Sequence, residues 1–276
     1  MNKLAFSTLG CPGWSLEQVL DGVRRYGYDG VELRLLDGEV IEPTLSQSER
    51  QRVKNAFKSA NVPICCLDSS IRVATGKDQP QVASDIRTFL QLASELDAPM
   101  MRVFAGPWPE GWSDGQVYNA TADLLNSVTG DAARLGVAIV LETHDSMASY
   151  KPVAEVLRRV PNHAFGALWD CHHPYRMGEQ PDQVLDALGD RILHFHVKDA
   201  RPNPAARTGW DLLLLGKGEV PVEDSLKTLV RRGYTGWVAV EWEKKWHPHI
   251  EEPEVAFPQH AELLRKWINE AAQTAG

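Results

Sequence analysis

Eight short apolar segments recur along this chain, and stretches with helical spacing of apolar residues separate them. The apolar segments lie at 4–9, 30–35, 62–67, 100–105, 137–142, 165–170, 192–197 and 237–242. Helical patterns lie between them, for example at 16–26, 44–60, 85–96, 119–135, 181–188 and 222–232, and the chain closes with one at 258–272. Strands that lack polar alternation are typical of a parallel sheet buried on both faces.

Alternation of strand and helix, continued eight times over about 250 residues, predicts an α/β fold of the (β/α)8 type, an eight-stranded parallel TIM barrel. An open, doubly wound sheet is the alternative. The first strand is followed by STLGCPGW (7–14) rather than by a GxGxxG turn, which disfavours that alternative. Because no linker-like stretch interrupts the pattern, we expect residues 1–276 to form a single domain.

The charge balance narrows the classes of partner. With 29 Lys and Arg against 37 Asp and Glu, the net charge of −8 argues against a general binder of nucleic acid or of anionic membranes. The start, MNKLAFSTLG, is too short and polar for a signal peptide. The cysteines at 11, 65, 66 and 171 show no CxxC spacing. We therefore expect a cytoplasmic protein with reduced cysteines.

Ionisable side chains end four of the apolar segments. Glu142, Asp170 and Glu241 emerge where strands of the barrel would finish, and the seventh segment offers His194 and His196, with Lys198 and Asp199 just beyond. Each alone is explained by a salt bridge or a helix cap, but in a closed barrel the four converge on one rim. Three carboxylates this close repel one another without a cation between them. The set suits one divalent metal ion: Mn, Co, Mg, Fe or Zn.

Further polar and aromatic residues lie near the same predicted rim. His144 follows Glu142, and the N-terminal half contributes Glu32, Arg34, Asp68 and Arg102. Loop tryptophans, Trp14 and Trp108 among them, are candidates to pack on a sugar ring, although such residues equally often bury themselves against the barrel. We expect Cys171 to be structural.

Six segments of the chain carry a family resemblance. They are GYDGVELR (27–34), VLETHD (140–145), WDCHH (169–173), HFHVKDA (194–200), LGKGEV (215–220) and GYTGWVAVEWE (233–243). In this order they resemble the sugar phosphate isomerase/epimerase family of xylose isomerase-like TIM barrels. That superfamily also holds ketose 3-epimerases, inosose dehydratase, dehydroshikimate dehydratase, hydroxypyruvate isomerase and endonuclease IV.

The resemblance implies roles for individual residues. The metal positions of the family fall on Glu142, Asp170, His196 and Glu241, and it implies that the two glutamates are the catalytic acid/base pair. By the same resemblance, His173 and Lys198 contact substrate oxygens and His194 supports the site. With Arg102, His144, Trp14 and Trp108 these complete the candidate substrate-binding residues.

The implied reaction is proton abstraction next to a carbonyl through a metal-stabilised enediolate, in a sugar isomerase or epimerase. A small carbohydrate or a keto-acid is the expected substrate, and the absence of a glycine-rich phosphate cradle favours a substrate without phosphate. The segment 242–249 is a candidate lid or contact of a homodimer.

Three other functions are weighed. Elimination of a hydroxyl from the same intermediate gives a dehydratase of the inosose or 3-dehydroshikimate type. A barrel that only binds a ligand is expected to lose metal positions, and all four are present. An endonuclease IV-like nuclease needs histidines in the N-terminal half, whereas all nine histidines lie at or after position 144.

Overall fold

The structure, a computed structural model, describes residues 2–274. Its strands are β1 (Lys3–Ser7), β2 (Gly30–Leu33), β3 (Leu35–Leu36), β4 (Glu39–Val40), β5 (Ile64–Arg72), β6 (Met100–Phe104), β7 (Ala138–Glu142), β8 (Phe165–Asp170), β9 (Ile192–Val197), β10 (Asp199–Pro202), β11 (Trp210–Leu213) and β12 (Trp237–Val240). Its helices are α1 (Leu16–Tyr26), α2 (Gln47–Ala60), α3 (Gln79–Glu95), α4 (Asp114–Leu135), α5 (Tyr150–Arg159), α6 (His172–Arg176), α7 (Pro181–Leu188), α8 (Val222–Arg231) and α9 (Pro253–Thr274).

Eight strands close into a parallel barrel in the order β1-β12-β9-β8-β7-β6-β5-β2. Each neighbouring pair runs parallel, and β1 pairs with β12 to complete the ring. The predicted (β/α)8 TIM barrel is therefore confirmed. Within residues 2–274, no helix combines the length and the apolar composition that crossing a bilayer requires.

Helix α1 shows why the local sequence produces these elements. Ser15 and Gln18 form a reciprocal capping box at its start, and Gly27 ends it in the left-handed conformation with φ of 74°. The buried residues Leu16, Val19, Leu20, Gly22 and Val23 recur at helical spacing. The observed bounds equal the predicted segment 16–26.

Several helices depart from the named sequence patterns. Helix α5 lies outside them, although Ser149 caps it and Val153, Val156 and Leu157 form its buried face. Helix α9 begins at Pro253 and contains Pro258, where the sequence pattern predicts the start. Proline is common in the first turn of a helix, so the second of two nearby prolines misplaced the boundary.

The barrel interior changes from apolar to ionisable along four of its strands. Ala5, Met100, Val140, Leu168 and Ala239 belong to one buried apolar cluster. Residues two positions further along a strand point to the same face. That step leads to Arg102, Glu142, Asp170 and Glu241, and so an ionisable ring lies directly above an apolar layer.

Asp199 anchors the loop that carries the LGKGEV segment. Its Oδ2 accepts hydrogen bonds of 2.9 Å from the backbone N–H groups of Gly216 and Gly218, and its Oδ1 accepts one of 3.2 Å from Val220. A Cβ at position 218 would lie 2.1 Å from Asp199 Oδ1. The glycine is therefore required by close approach to this carboxylate.

Candidate metal centre

Four buried residues form a compact cluster at the carboxyl ends of the strands. Glu142 ends β7, Asp170 ends β8, His196 lies in β9 and Glu241 follows β12. Each offers one ligand atom, and these atoms lie within 4.8 Å of one another. The four strands are consecutive in the barrel, and Asp170 is the register partner of His196. Strand order and register thus bring together residues that lie between positions 142 and 241 of the sequence.

The donor set fits a divalent metal ion. Glu142 Oε1 and His196 Nδ1 are buried and have no hydrogen-bond partner among residues 2–274. His196 Nδ1 lies 3.8 Å from Glu142 Oε1 and 3.7 Å from Glu241 Oε2, beyond hydrogen-bond range. Buried polar atoms are normally paired, so unpaired ones that face each other are suited to a shared cation. Carboxylate oxygens and imidazole are ordinary ligands of several divalent ions.

Arg102, on β6, lies against the two glutamates of this cluster. Its Nη1 is 2.9 Å from Glu142 Oε2 and 3.6 Å from Glu241 Oε1, and its Nε is 3.8 Å from Asp68 Oδ1. Burial raises the pKa of the Glu142 carboxyl, and the Arg102 charge opposes this shift only in part. The sequence predicts that Arg102 contacts substrate. In the structure its positive charge lies against the carboxylates of Glu142 and Glu241.

Lys198 lies on the opposite side of the cluster. Its Nζ is 2.5 Å from Glu241 Oε2, 3.2 Å from Asp170 Oδ2 and 2.5 Å from Glu243 Oε1. Burial disfavours ionisation of Glu241, but Lys198 and His196 outweigh burial and hold the pKa of this carboxyl well below its ordinary value. Burial likewise lowers the pKa of Lys198, but its acidic neighbours raise it well above its ordinary value.

Glu32 connects two histidines beneath the cluster. Its Oε2 lies 2.6 Å from His194 Nε2 and 2.7 Å from His196 Nε2, and all three side chains are fully buried. From the sequence, Glu32 is a polar residue near the predicted rim with no assigned role. Its position could have indicated one, because Glu32, like the proposed ligands, follows an apolar run near the end of a strand.

Two histidines extend the site toward the barrel mouth. Glu142, His144 and His173 form a second group whose ligand atoms lie within 4.8 Å of one another. The rings of His144 and His173 are 4.4 Å apart, and His144 Nδ1 lies 2.8 Å from Asp145 Oδ1. Burial, with Lys198 nearby, lowers the pKa of His173 well below its ordinary value, so this ring is neutral.

The two tryptophans named in the sequence lie in other surroundings. Trp14 packs against Phe6, Tyr26 and Phe257, and its Nε1 donates a 3.2 Å hydrogen bond to Glu254. Trp108 packs edge-on against Tyr118 of α4. The structure brings His144, His173, Lys198 and Arg102 to the cluster, whereas the ring contacts of these tryptophans are with Phe6 of β1 and with residues of α1, α4 and α9.

Comparison with known proteins shows which family the chain belongs to. Residues 20–267 match the family model described as xylose isomerase-like TIM barrel. The chain is 21% identical over 251 residues to fructoselysine 3-epimerase of Escherichia coli O157:H7, covering 87% of this chain and 90% of that protein. It is 26% identical over 170 residues to inosose dehydratase of Clostridium botulinum, covering 56% of this chain and 55% of that protein.

Among solved structures, one of the IolI protein with a binding zinc atom superposes with a TM-score of 0.79, at 16% identity and 99% coverage of both chains. This likeness concerns the fold. The family match extends over most of the sequence, including all four residues of the cluster. The chain therefore belongs to the family of xylose isomerase-like TIM barrels.

Proposed function

We propose that this protein is a divalent-metal-dependent isomerase or epimerase of a small carbohydrate or keto-acid, which moves a proton at a carbon next to a carbonyl. The observation that carries the proposal is the placement of two buried glutamates, Glu142 and Glu241, in one cluster with Asp170 and His196. A fold alone supports many chemistries, so the argument rests on these side chains.

The cluster would hold the metal through Glu142, Asp170, His196 and Glu241. When bound, a divalent ion supplies a Lewis acid that stabilises negative charge developing on substrate oxygens. The zinc atom in the IolI structure supports a metal here, and elemental analysis of the purified protein identifies the ion.

Glu142 and Glu241 are the proposed proton carriers. They stand on β7 and after β12, which are separated in the barrel by β8 and β9. Two carboxylates that approach from different strands can remove a proton on one side of a carbon and deliver one elsewhere. Arg102 holds both side chains through Nη1, at 2.9 Å and 3.6 Å. We assign Arg102 to positioning of the pair.

Lys198, His173 and His144 are the proposed hydrogen-bond donors to substrate oxygens. Lys198 and His173 border Asp170, at 3.2 Å and 3.7 Å from its Oδ2, and His144 lies beside His173 at the mouth. These groups can orient hydroxyl and carbonyl oxygens by hydrogen bonds. We assign Trp14 and Trp108 to packing of the helices, Trp14 also against the barrel wall, because their ring contacts lie there.

Carbohydrates are the proposed substrate class because fructoselysine 3-epimerase, a relative of this chain, acts on a sugar derivative by its name.

A single domain is proposed for residues 1–276 on the ground that β1 pairs with β12, so that the first and last strands complete one barrel. A cytoplasmic location agrees with four buried, unpaired cysteines within the described part of the chain. A homodimer through 242–249 agrees with the 48% exposure of Trp246.

A dehydratase is the second candidate, and one feature favours it. Loss of a hydroxyl needs a proton donor for the leaving oxygen besides the base that removes the carbon-bound proton. His144, backed by Asp145 at 2.8 Å and adjacent to Glu142 and His173, is placed to be that donor. The inosose dehydratase relative agrees with this alternative.

One experiment distinguishes these functions. Metal content of the purified and the EDTA-treated protein is measured, followed by solvent deuterium exchange on a panel of ketoses and keto-acids. One metal per chain with metal-dependent exchange and no loss of water supports the isomerase or epimerase. Release of water from the substrate supports the dehydratase. Failure to bind metal after reconstitution contradicts both, and three zinc ions would point to a nuclease.

The two glutamates are tested by substitution. Glu142→Gln and Glu241→Gln each remove a carboxylate while keeping the size of the side chain. We expect either change to reduce turnover by at least about 100-fold, the usual contribution of a positioned acid or base. Full activity in either variant on a substrate of the wild type would contradict the two-carboxylate reaction.

A further inference from the structure

Glu32 lies in the barrel interior, across from the strand that carries His196. It belongs to β2, whereas His194 and His196 belong to β9. Its carboxylate is fully buried and one oxygen, Oε2, contacts the Nε2 atoms of both histidines, at 2.6 Å and 2.7 Å. A buried carboxylate accepts but does not donate hydrogen bonds, so both Nε2 atoms carry a proton in these contacts.

This contact decides which nitrogen of His196 is available to a cation. A neutral imidazole donates from one nitrogen and offers a lone pair at the other. With Nε2 donating to Glu32, the lone pair lies at Nδ1. That atom faces Glu142 and Glu241, at 3.8 Å and 3.7 Å, and has no hydrogen-bond partner among the described residues.

We propose that Glu32 is a positioning residue of the metal centre: it fixes the ring of His196 with the proton on Nε2, so that Nδ1 is the metal ligand. The inference rests on the metal site of the proposed function and adds a residue outside its four ligands. Carboxylates that hold the second nitrogen of a ligating histidine orient the ring and raise its basicity.

His194 completes the arrangement from the same strand. It donates to the same oxygen as His196 and has the shorter contact, 2.6 Å. A second donor stabilises the charged form of Glu32 in surroundings where burial opposes ionisation. His194 therefore supports the acceptor on which the orientation of His196 depends.

Asp68 closes the other side of Glu32. Its carboxyl is fully buried next to that of Glu32, and burial raises its pKa well above the ordinary value although Arg102 opposes the shift. Among residues 2–274 the Asp68 side chain makes no hydrogen bond to either histidine, and Arg102 Nε lies 3.8 Å from its Oδ1. Glu32 is thus the carboxylate that both histidines contact in this part of the barrel interior.

The test compares metal affinity in two carboxylate variants. Glu32→Gln replaces an acceptor of two N–H groups by an amide that accepts at one atom and donates at the other. Glu179→Gln is the matched control, since Glu179 is also buried but contacts Ser149 and Tyr150 at the start of α5. Dissociation constants for Mn²⁺ are measured by isothermal titration calorimetry on the full chain.

We expect Glu32→Gln to weaken Mn²⁺ binding by about 10- to 100-fold and Glu179→Gln to leave it within about twofold of the wild type. Equal affinity of a folded Glu32→Gln variant and the wild type would overturn the positioning role and leave the metal site standing. A wild-type chain that binds no Mn²⁺, Zn²⁺ or Co²⁺ would overturn the metal site itself, and the positioning role with it.

A second measurement needs no variant and decides the matter if Glu32→Gln does not fold. Long-range ¹H–¹⁵N spectra of the zinc-loaded wild type distinguish the two nitrogens of His196. The expected spectrum has a proton retained on Nε2 and a metal-induced shift at Nδ1. A metal-induced shift at Nε2 would overturn the proposal.

Discussion

Arg102 Nη1 and Glu142 Oε2 are joined by a hydrogen bond of 2.9 Å inside the barrel, where the arginine side chain is 3% exposed and the glutamate fully buried. The same guanidinium lies against Glu241 and Asp68 and stacks 4.0 Å above the Phe104 ring. An acidic cluster of this kind is stable without bound metal only if fixed positive charge compensates it. Arg102 provides part of that charge.

Arg102→Met should therefore destabilise the metal-free protein strongly. Removal of one partner of a buried ion pair leaves an uncompensated charge and costs about 3–5 kcal/mol. Urea unfolding in EDTA measures the loss, and added Mn²⁺ should restore part of it. The control is Arg87→Met, whose pair with Asp131 is 46% and 33% exposed and should cost at most about 1 kcal/mol. Equal losses in the two variants would contradict the role of Arg102.

Lys198→Met should tighten metal binding while it impairs turnover. The ammonium of Lys198 lies 2.5 Å from Glu241 Oε2 and 3.2 Å from Asp170 Oδ2, two residues of the proposed ligand set. A cation that already occupies these carboxylates repels a second one. We expect the Mn²⁺ dissociation constant to fall by about tenfold, which corresponds to about 1.4 kcal/mol.

The control for this change is Lys227→Met, which removes a lysine paired with Glu223 and Glu270 on the helical layer. Its Mn²⁺ dissociation constant should match that of the wild type. Calorimetric titration of both variants is the measurement. Weaker or unchanged binding in Lys198→Met would show that Lys198 does not compete with the ion.

Gly218→Ala should destabilise the protein through the loop anchored by Asp199. The added Cβ would lie 2.1 Å from Asp199 Oδ1 and 2.6 Å from the Ala200 carbonyl oxygen, and backbone cannot give way as a flexible side chain can. Overpacking of this kind costs about 1–3 kcal/mol. Gly130→Ala, in α4 with open space around the added atom, should instead stabilise by about 0.5–1 kcal/mol. Urea unfolding measures the free energy of unfolding of both variants. Equal values for Gly218→Ala and Gly130→Ala would show that the Asp199 contacts do not matter for stability.

His260 should make the protein less stable as the pH falls below neutrality. The ring is buried between Trp242 and the Ala256 carbonyl, and burial lowers its pKa to about 4. In the unfolded chain the pKa is about 6.5, so the unfolded state binds the proton first. The free energy of unfolding therefore falls between pH 6.5 and pH 4, by about 2 kcal/mol from pH 7 to pH 5.

Urea unfolding at pH 7 and pH 5 measures this difference. In the His260→Gln variant, the free energy of unfolding should decrease between pH 7 and pH 5 by about 2 kcal/mol less than in the wild type, because no group at that position then titrates. A His260→Gln variant with the wild-type slope would contradict the assignment.

The barrel and three of the proposed ligands, Glu142, Asp170 and Glu241, could be predicted from sequence for the same reason, whereas the choice of His196 over His194 came from the family resemblance. Each is a local pattern, an apolar run with or without an ionisable residue at its end, and the eightfold recurrence of the run fixes where the ends must meet. The structure places the ligand atoms of Glu142, Asp170, His196 and Glu241 within 4.8 Å of one another.

The sequence alone determined the strand-helix periodicity, the barrel and the rim on which the ionisable residues collect, because hydrophobic periodicity acts over a few neighbouring residues. Only the tertiary structure decided the contacts across the barrel. Glu32 meets His196 from a position 164 residues earlier, and Trp14 turns to Tyr26 and Phe257 in the helical layer. Such contacts depend on barrel closure and strand register, which set distances that spacing along the chain does not encode.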